Sequence, residues 1–213
     1  MPAISSEKAS VHVVDDDDSF RTAVARLLRA AGYEVRTYAS AGEFALAYDA
    51  SLSGCLLMDV RMPGPSGLDL QASLSRLHNP LPIIFLTGHG DISMSVRAMK
   101  AGAVDFLTKP VQRVELLRAV KTALAHEAEG RSKWERLRAW RERLARLTLR
   151  EREVFDRVTA GQPNKQIASE TKSAERTVKA HRAQVMEKMG AGSLAELVHI
   201  ADELHHSEGD DAA

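Results

Sequence analysis

The sequence predicts an α/β domain with a five-stranded, doubly wound parallel sheet, then a helical linker and a smaller all-α domain. Short apolar runs alternate with segments of helical periodicity up to about residue 126, and beyond it only helical patterns occur. The charge also changes along the chain, because residues 1–129 carry 13 Lys and Arg against 15 Asp and Glu, whereas residues 130–204 carry 16 against 11. A basic second domain is suited to a polyanionic partner.

Four strands are predicted from compact β-branched or apolar runs at 11–14, 55–58, 83–86 and 104–107, and a fifth from the alternating pattern at 33–38. The first helix is predicted from apolar residues that recur from Phe20 to Ala31, and Gly32 ends it. Ser40 and Glu43 have the spacing of a capping box and open the second helix. Further helices are predicted from 67 to about 77, from 91 to 101 and after Pro110.

Composition excludes several classes of protein. Of the 213 residues, 44% are apolar, which is ordinary for a globular chain, and no apolar run reaches the length of a membrane span. The single cysteine, Cys55, excludes an internal disulfide framework and a cysteine-rich zinc site. The N-terminus lacks the apolar core of a secretion signal. We therefore expect a cytoplasmic protein without a membrane partner.

Polar side chains directly follow four of the predicted strands. Asp15 and Asp16 come after the first, Asp59 after the third, Thr87 after the fourth and Lys109 after the fifth. Any one of them alone could be a solvated loop residue. Because function gathers at the carboxyl ends of parallel strands, we expect the set to converge on one site.

The chemistry of this set favours phosphoryl transfer. Three neighbouring carboxylates repel one another unless a cation lies between them, and Mg²⁺ takes oxygen ligands while keeping several waters. Lys109 would supply a second positive charge. A carboxylate can act as the nucleophile and form an aspartyl phosphate, and the Thr87 hydroxyl could then bond its oxygens.

Residues 10–126 resemble the receiver domain of bacterial response regulators, which has a flavodoxin-like fold. The matching motifs are Val13-Val14-Asp15-Asp16, Leu56-Leu57-Met58-Asp59-Val60-Arg61-Met62-Pro63-Gly64, Leu86-Thr87-Gly88 and Asp105-Phe106-Leu107-Thr108-Lys109-Pro110. The resemblance implies that Asp59 accepts phosphate from a sensor histidine kinase. It implies that Mg²⁺ is held by Asp15, Asp16, Asp59 and the backbone carbonyl of Arg61.

The same resemblance assigns further roles around the site. Lys109 would pair with the phosphate, and its bond to Pro110 would be cis. Thr87 and Phe106 match the switch pair of receiver domains, although simple core packing is the alternative for Phe106. Arg61 and His89 occupy positions that vary in the family and would tune the lifetime of the phosphate. Asp17 and Asp18 are interpreted as helix-start charges and caps.

The linker, residues 127–146, is rich in Arg, Glu, Ala and Leu. Leu137, Trp140, Leu144 and Leu147 form a helical apolar stripe, which would pack on a domain or on a second copy; a solvated linker is the alternative. We expect Gly130 to break this segment into two helices.

Residues 147–204 predict four helices. Thr148 and Glu151 open the first as a capping box, the second spans 164 to about 170, Ser173 caps the third, and Ser193 and Glu196 cap a fourth that reaches about 204. The second and third form a helix-turn-helix candidate. The tail, 205–213, is expected to be disordered.

The third of these helices has two distinct faces. Val178, Val185 and Met189 share the core stripe, while Arg176, Lys179, Ala180 and Ala183 lie opposite. Cations can meet phosphates or guanine edges, and small alanines allow close approach to bases. A solvated charged face is the alternative.

The sequence of residues 147–204 resembles the LuxR-type DNA-binding domain. The resemblance rests on Leu147-Thr148-Leu149-Arg150-Glu151-Arg152-Glu153-Val154, Gly161, Asn164-Lys165-Gln166-Ile167-Ala168, Arg176-Thr177-Val178-Lys179-Ala180-His181-Arg182 and Lys188-Met189. It implies that the third helix reads the major groove of promoter DNA and that the fourth often dimerises. The implied DNA-binding residues are Lys165, Arg176, Thr177, Lys179, Ala180, Arg182, Ala183 and Lys188.

Together the two resemblances indicate a response regulator of the FixJ/NarL type, which is not an enzyme. Phosphorylation of Asp59 would favour a homodimer or release the basic domain, and the DNA-bound form would act on RNA polymerase. One rival is an aspartyl-phosphate hydrolase, although Asp18-Ser19-Phe20 stands where that family has Gly-Thr. Another is a DNA-binding protein whose first domain responds to something other than phosphate.

Overall fold

The computed structural model describes residues 10–49, 52–75, 81–88 and 92–210, with side chains up to Ser207 in the last helix. The chain divides into two compact units after Arg131. The predicted role of His89, the predicted helix start at 91 and the last three residues of the tail lie outside the described residues.

The first unit contains a five-stranded sheet, as predicted. All neighbouring strands are parallel, and their order is β2-β1-β3-β4-β5. The strands are β1 (Ser10–Val14), β2 (Glu34–Tyr38), β3 (Cys55–Asp59), β4 (Ile83–Thr87) and β5 (Asp105–Thr108). The direction of winding changes between β1 and β3, and at such a switch point the carboxyl ends of the strands leave a crevice.

Five helices accompany the sheet. They are α1 (Asp18–Ala30), α2 (Ala41–Ala47), α3 (Gly67–Leu74), α4 (Ile92–Lys100) and α5 (Arg113–Ala145). The predicted caps are confirmed, because Asp17 accepts a hydrogen bond from the Phe20 amide and Ser40 accepts one from the Glu43 amide. These side chains satisfy amide groups that have no partner inside the helix.

The sheet is buried on both faces, as a wound parallel sheet must be. Alternate residues of each strand belong to different cores. Val14, Met58 and Phe85 face one core with Phe44 of α2, and Val11, Leu57 and Ile84 face the other with Leu28 of α1. The sheet is therefore a rigid base for the side chains at its carboxyl edge.

The connector between the units is one continuous helix, so the expected break at Gly130 is wrong. A glycine inside a helix costs about 1 kcal/mol relative to alanine, and the surrounding Ala, Glu, Arg and Leu residues are strong helix formers that outweigh it. Leu137 and Leu144 are buried in the core of the second unit, and Trp140 packs against it. Of the interpretations of the stripe, packing on a domain is thus the one that the structure shows.

The second unit has the four further helices that the sequence predicts. They are α6 (Leu149–Thr159), α7 (Asn164–Glu170), α8 (Glu175–Met189) and α9 (Leu194–Asp210). Their shared core includes Phe155, Ile167, Val178, Met189 and Leu197. The capping box of Thr148 and Glu151 is present, and Gly190 ends α8 in the left-handed conformation.

Two local predictions about these helices are wrong. The N-cap of α8 is Ala174 rather than Ser173, whose hydroxyl donates to the Thr171 carbonyl instead. Helix α9 continues to Asp210, so residues 205–210 are not a disordered tail. The extension is held by Ser207, whose hydroxyl accepts from Arg141 of α5 and donates to the Leu204 carbonyl. Among the described helices, none has the long, uncharged apolar stretch that a membrane crossing requires.

Candidate functional site

Three carboxylates lie together at the switch point of the sheet, as the sequence predicts. Asp15 directly follows β1 and is fully buried, Asp59 ends β3 and is 7% exposed, and Asp16 is exposed. Each offers an oxygen within 4.8 Å of the others. The ends of neighbouring strands β1 and β3 therefore bring together residues that are far apart in sequence.

Backbone contacts fix the orientation of the two buried carboxylates. The Asp17 amide donates to Asp15 Oδ1 at 3.0 Å, and the Arg61 amide donates to Asp59 Oδ1 at 3.0 Å. The guanidinium of Arg21 donates to the backbone carbonyl of Asp15 at 2.6 Å and anchors the loop after β1. In both aspartates the second oxygen, Oδ2, remains for the centre of the site.

Lys109 supplies the positive charge of the site. Its Nζ lies 2.5 Å from Asp59 Oδ2 and 2.6 Å from Asp15 Oδ2. Burial acts to lower the pKa of Lys109, but the hydrogen bonds and charges of the two carboxylates outweigh it and raise that pKa. Burial raises the pKa of Asp15, and Lys109 opposes the rise. The Lys109–Pro110 bond is cis, as expected.

The acidic cluster fits a small, hard cation. Asp15 Oδ2 is completely buried, and its described partner is the Lys109 ammonium, which lies 2.6 Å away. In the part of the chain that the structure describes, three carboxylates with one ammonium among them present an all-oxygen donor set of the kind that Mg²⁺ prefers. The residues that could hold the ion are thus Asp15, Asp16 and Asp59. The role of the Arg61 carbonyl stays a prediction.

The two residues predicted to act as a switch end the neighbouring strands. Thr87 is fully buried at the end of β4, and its carbonyl accepts a hydrogen bond from the Lys109 amide at 2.7 Å. Phe106 of β5 is partly buried, and its ring centroid lies 6.3 Å from that of Phe85. Thr87 therefore lies next to Lys109, which follows the neighbouring strand β5. A movement of either side chain stays a prediction.

Two residues near the site were not recognised from the sequence. Phe20 was interpreted only as part of the apolar repeat of α1, yet Lys109 Nζ lies 4.3 Å from the centroid of its ring. Arg21 was not singled out, yet it holds the Asp15 carbonyl. Both lie within one turn of the aspartate loop, and that proximity is the only sequence signal that could have indicated them.

The predicted nucleic-acid surface lies on α8 and α7. Val178, Val185 and Met189 are buried, as predicted for the core face of α8. The residues predicted to meet DNA through the opposite face are exposed: Arg176, Thr177, Lys179, Ala180 and Ala183. Lys165 on α7 is exposed as well. The second unit therefore presents a helix face that combines cations with small side chains.

Two of the predicted DNA-binding residues make contacts with other helices of the unit. Arg182 donates to the side chain of Asn164 at 3.2 Å. Lys188 donates to both carboxylate oxygens of Glu151, at 2.6 and 2.8 Å. The Lys188 hydrogen bond, with that from the Thr148 amide, lowers the pKa of Glu151 to about 2. Lys188 thus has a role in joining α6 to α8 that the sequence did not indicate.

Comparison with known families assigns both units. Residues 11–121 match the family model described as the response regulator receiver domain, and residues 145–201 match the model of bacterial regulatory proteins of the luxR family. The chain belongs to the response regulator family. It is 46% identical over 200 residues to nodulation protein W of Bradyrhizobium diazoefficiens, covering 94% of this chain and 88% of that protein. It is 43% identical over 203 residues to the response regulator protein TodT of Pseudomonas putida, covering 95% and 89%.

Solved structures agree with this assignment. The response regulator StyR matches with a TM-score of 0.80 at 45% identity, over 92% of this chain and 99% of that one. Full-length FixJ from B. japonicum matches with a TM-score of 0.57 at 38% identity, over 93% and 98%. The response regulator described here thus combines a receiver domain with a LuxR-type DNA-binding domain. The predicted class, a two-component transcriptional regulator, is confirmed.

Proposed function

We propose that this response regulator accepts a phosphoryl group on Asp59 from a sensor histidine kinase, with Mg²⁺ held by Asp15, Asp16 and Asp59. The observation that carries the proposal is the Lys109 ammonium, which bridges the Asp15 and Asp59 carboxylates at the switch point of the sheet. A nucleophilic carboxylate beside a cation and an all-oxygen donor set is suited to forming an acyl phosphate. The Arg61 carbonyl is included as a further ligand on the family resemblance alone.

Each residue of the site has a separate role in the proposed phosphoryl transfer. An Asp59 carboxylate oxygen forms the new bond to phosphorus, and the bond from phosphorus to the donor breaks, its electron pair leaving with the donor. Bound Mg²⁺ supplies positive charge that offsets the charge on the phosphoryl oxygens. Lys109 then pairs with those oxygens, and the Thr87 hydroxyl binds them from the end of β4. Phe106 follows by repacking in β5.

The surface of α4 supports a homodimer as the active form. Ile92, Val96 and Met99 recur at the spacing of one helix face and are 80%, 46% and 46% exposed. Val114, at the start of α5, is 77% exposed. Phosphorylation adds about −1.5 to −2 charges to the receiver. We take a second copy of the chain as the occupant of this face, because two DNA-binding units joined by a two-fold axis fit paired half-sites.

The α8 face is the proposed reader of promoter DNA. Lys179, Ala180 and Ala183 would face base edges, whereas Arg176, Thr177 and Lys165 would contact phosphates. Arg182 would contribute from its place beside Asn164. Lys188 is left out of the proposed set because Glu151 already neutralises it. On promoter DNA, in the cytoplasm, the dimer would act on RNA polymerase.

The direct test is incorporation of phosphate from acetyl phosphate in the presence of Mg²⁺, followed by intact-protein mass spectrometry. One phosphoryl group is expected on the wild type, and none on Asp59→Asn or after chelation of Mg²⁺. Asp105→Asn is the matched control, because Asp105 is a strand-borne carboxylate that pairs with Arg118 away from the acidic cluster. Incorporation that persists in Asp59→Asn would contradict the proposal. Multiple turnover of p-nitrophenyl phosphate would favour the hydrolase alternative.

A further inference from the structure

Phe20 makes a contact with the reactive site that its place in the apolar repeat does not require. The ring is half-buried against the core of α1, and Lys109 Nζ lies 4.3 Å from its centroid. An ammonium at this distance is within the range in which the negative face of an aromatic ring attracts a cation. The contact joins α1 to the residue that follows β5.

The start of α1 fixes the backbone from which this ring extends. Asp17 is the N-cap, and its carboxylate accepts a hydrogen bond from the Phe20 amide at 3.1 Å. The Asp17 amide in turn donates to Asp15 Oδ1. Phe20 is therefore held in the first turn of the helix by the same loop that carries the acidic cluster. One loop thus positions both the backbone of Phe20 and the carboxylate of Asp15.

The three described contacts of the Lys109 ammonium differ in what happens to them during phosphoryl transfer. The carboxylate of Asp59 becomes part of an acyl phosphate, and the carboxylate of Asp15 becomes a ligand of Mg²⁺ in the proposed site. Both anionic partners are thus drawn into other bonds. The ring of Phe20 forms no bond to metal or phosphorus, so its contact with the Lys109 ammonium can persist through both changes.

We propose that Phe20 is a positioning residue for phosphoryl transfer, which holds the Lys109 ammonium over the site while Asp15 and Asp59 change partners. This inference rests on the proposed function of Asp59. It predicts that an aromatic face at position 20, rather than apolar volume alone, sets the rate of transfer. An aliphatic residue would keep the packing of α1 and lose the attraction to the cation.

The test compares Phe20→Leu with Phe20→Tyr in the full chain, with acetyl phosphate as donor and saturating Mg²⁺. In each transfer an Asp59 oxygen bonds to phosphorus, and acetate leaves with the electron pair of the broken P–O bond. Phe20→Leu is expected to slow the transfer about three- to thirtyfold, and Phe20→Tyr to stay within about twofold of wild type. Leu27→Ala is the matched control, because Leu27 packs against the same core two turns further along α1.

A second readout does not depend on transfer. The ring current of Phe20 should move the NMR signals of the Lys109 ε-methylene upfield in wild type and Phe20→Tyr, and not in Phe20→Leu. The inference is overturned if Phe20→Leu reacts at the wild-type rate, or if Leu27→Ala slows the transfer as much as Phe20→Leu does. Failure of wild type itself to accept phosphate would overturn the proposed function, and this inference with it.

Discussion

Asp15 carries a fully buried carboxylate whose burial raises its pKa, and the nearby Lys109 ammonium opposes that rise. The side chain of Lys109 is 17% exposed, and its pKa is raised because its hydrogen bonds and ion pairs with two carboxylates outweigh the effect of burial. The three charged groups thus stabilise one another in a setting where each alone would be costly. Two carboxylates and one ammonium leave a net negative charge, which suits the site to a divalent cation.

Lys109→Met removes the only ammonium described at this site and leaves Asp15 and Asp59 facing each other. Without Mg²⁺, the free energy of unfolding is expected to fall by about 3 kcal/mol, because breaking a buried pair leaves an uncompensated charge. With Mg²⁺ present, the loss should be smaller. Urea unfolding followed by circular dichroism, with and without Mg²⁺, measures both values. Equal stability of variant and wild type in chelator would contradict this account.

Glu151 links acidity to the stability of the second unit. Its pKa is lowered to about 2 in the folded chain, chiefly by the Lys188 hydrogen bond, against an ordinary value of 4.5. The depressed pKa means that the stabilisation is complete above about pH 4.5 and is lost as the pH falls toward 2. The difference in the free energy of unfolding between wild type and Glu151→Gln should therefore shrink as the pH falls from about 4.5 toward 2.

Tryptophan fluorescence can follow this effect, since Trp134 and Trp140, the two tryptophans of the chain, both lie in the second unit. Urea titrations near pH 6 and pH 3 on both proteins give the comparison. Glu153→Gln is the matched control, because Glu153 makes more exposed ion pairs on the same helix. A gap that is the same at both pH values would show that the Glu151 charge does not stabilise the unit.

Some of these residues could be predicted from the sequence and others could not. Asp15, Asp59 and Lys109 each lie at or just beyond the end of an apolar strand, and parallel strands end at one edge, so their convergence follows from the chain itself. The Glu151–Lys188 pair joins residues that are 37 positions apart on different helices. Periodicity places each of the two on a helix, but it does not say which cation faces which carboxylate.

Among the elements, the last turns of α5 belong structurally to the second unit. Besides the buried Leu137 and Leu144, Arg143 donates a hydrogen bond to the Met189 carbonyl at 2.9 Å. This carbonyl lies at the C-terminal end of α8, where backbone acceptors lack partners inside the helix. The connector helix therefore caps the proposed DNA-reading helix.

Arg143→Met should destabilise the second unit by about 1.5–2 kcal/mol, the contribution of a hydrogen bond from a charged donor. Tryptophan fluorescence during urea unfolding measures the loss. Arg138→Met is the matched control, because Arg138 forms an exposed ion pair with Glu142 one turn earlier. Such exposed pairs contribute about 0.5 kcal/mol or less. Equal losses in the two variants would argue against a capping role.

The face of α8 gives a prediction about DNA. Arg176→Ala should weaken binding to all duplex sequences and reduce the magnitude of the salt slope by about 1, as expected for a phosphate contact. Lys179→Ala should instead weaken the preference for one base pair, with a loss of about 1–3 kcal/mol of binding free energy that discriminates against the wrong base. Arg150→Ala on α6 is the control, where Arg150 pairs with Glu153. Fluorescence anisotropy on sites selected with the wild type distinguishes the two effects. An identical loss on every sequence in both variants would contradict the base-reading role of Lys179.

Sequence patterns predicted the existence of the elements better than their ends. The strands and helices of the receiver followed from hydrophobic periodicity, and Gly32 marked a real helix end. Gly130 did not, because a helix that is anchored at both ends by packing tolerates one unfavourable residue. The extension of α9 depends on the bond between Arg141 and Ser207, a tertiary contact that local sequence does not reveal.

At the scale of the whole molecule, the proposed function links phosphorylation of the receiver to DNA binding by the second unit through a dimer. The α4 stripe of Ile92, Val96 and Met99 is central to it. The sequence predicts only a helix from 91 to 101 here, and the structure shows that these three apolar residues are partly or largely exposed. Exposed apolar residues that share one helix face are typical of an interaction surface.

Control by dimerisation is tested by the molar mass of the protein in light scattering, before and after acetyl phosphate with Mg²⁺. We expect a shift from monomer to dimer in wild type and none in Asp59→Asn. In Val96→Asp, phosphate should be incorporated as in wild type without the shift. A wild type that is fully phosphorylated and keeps its mass would contradict control by dimerisation.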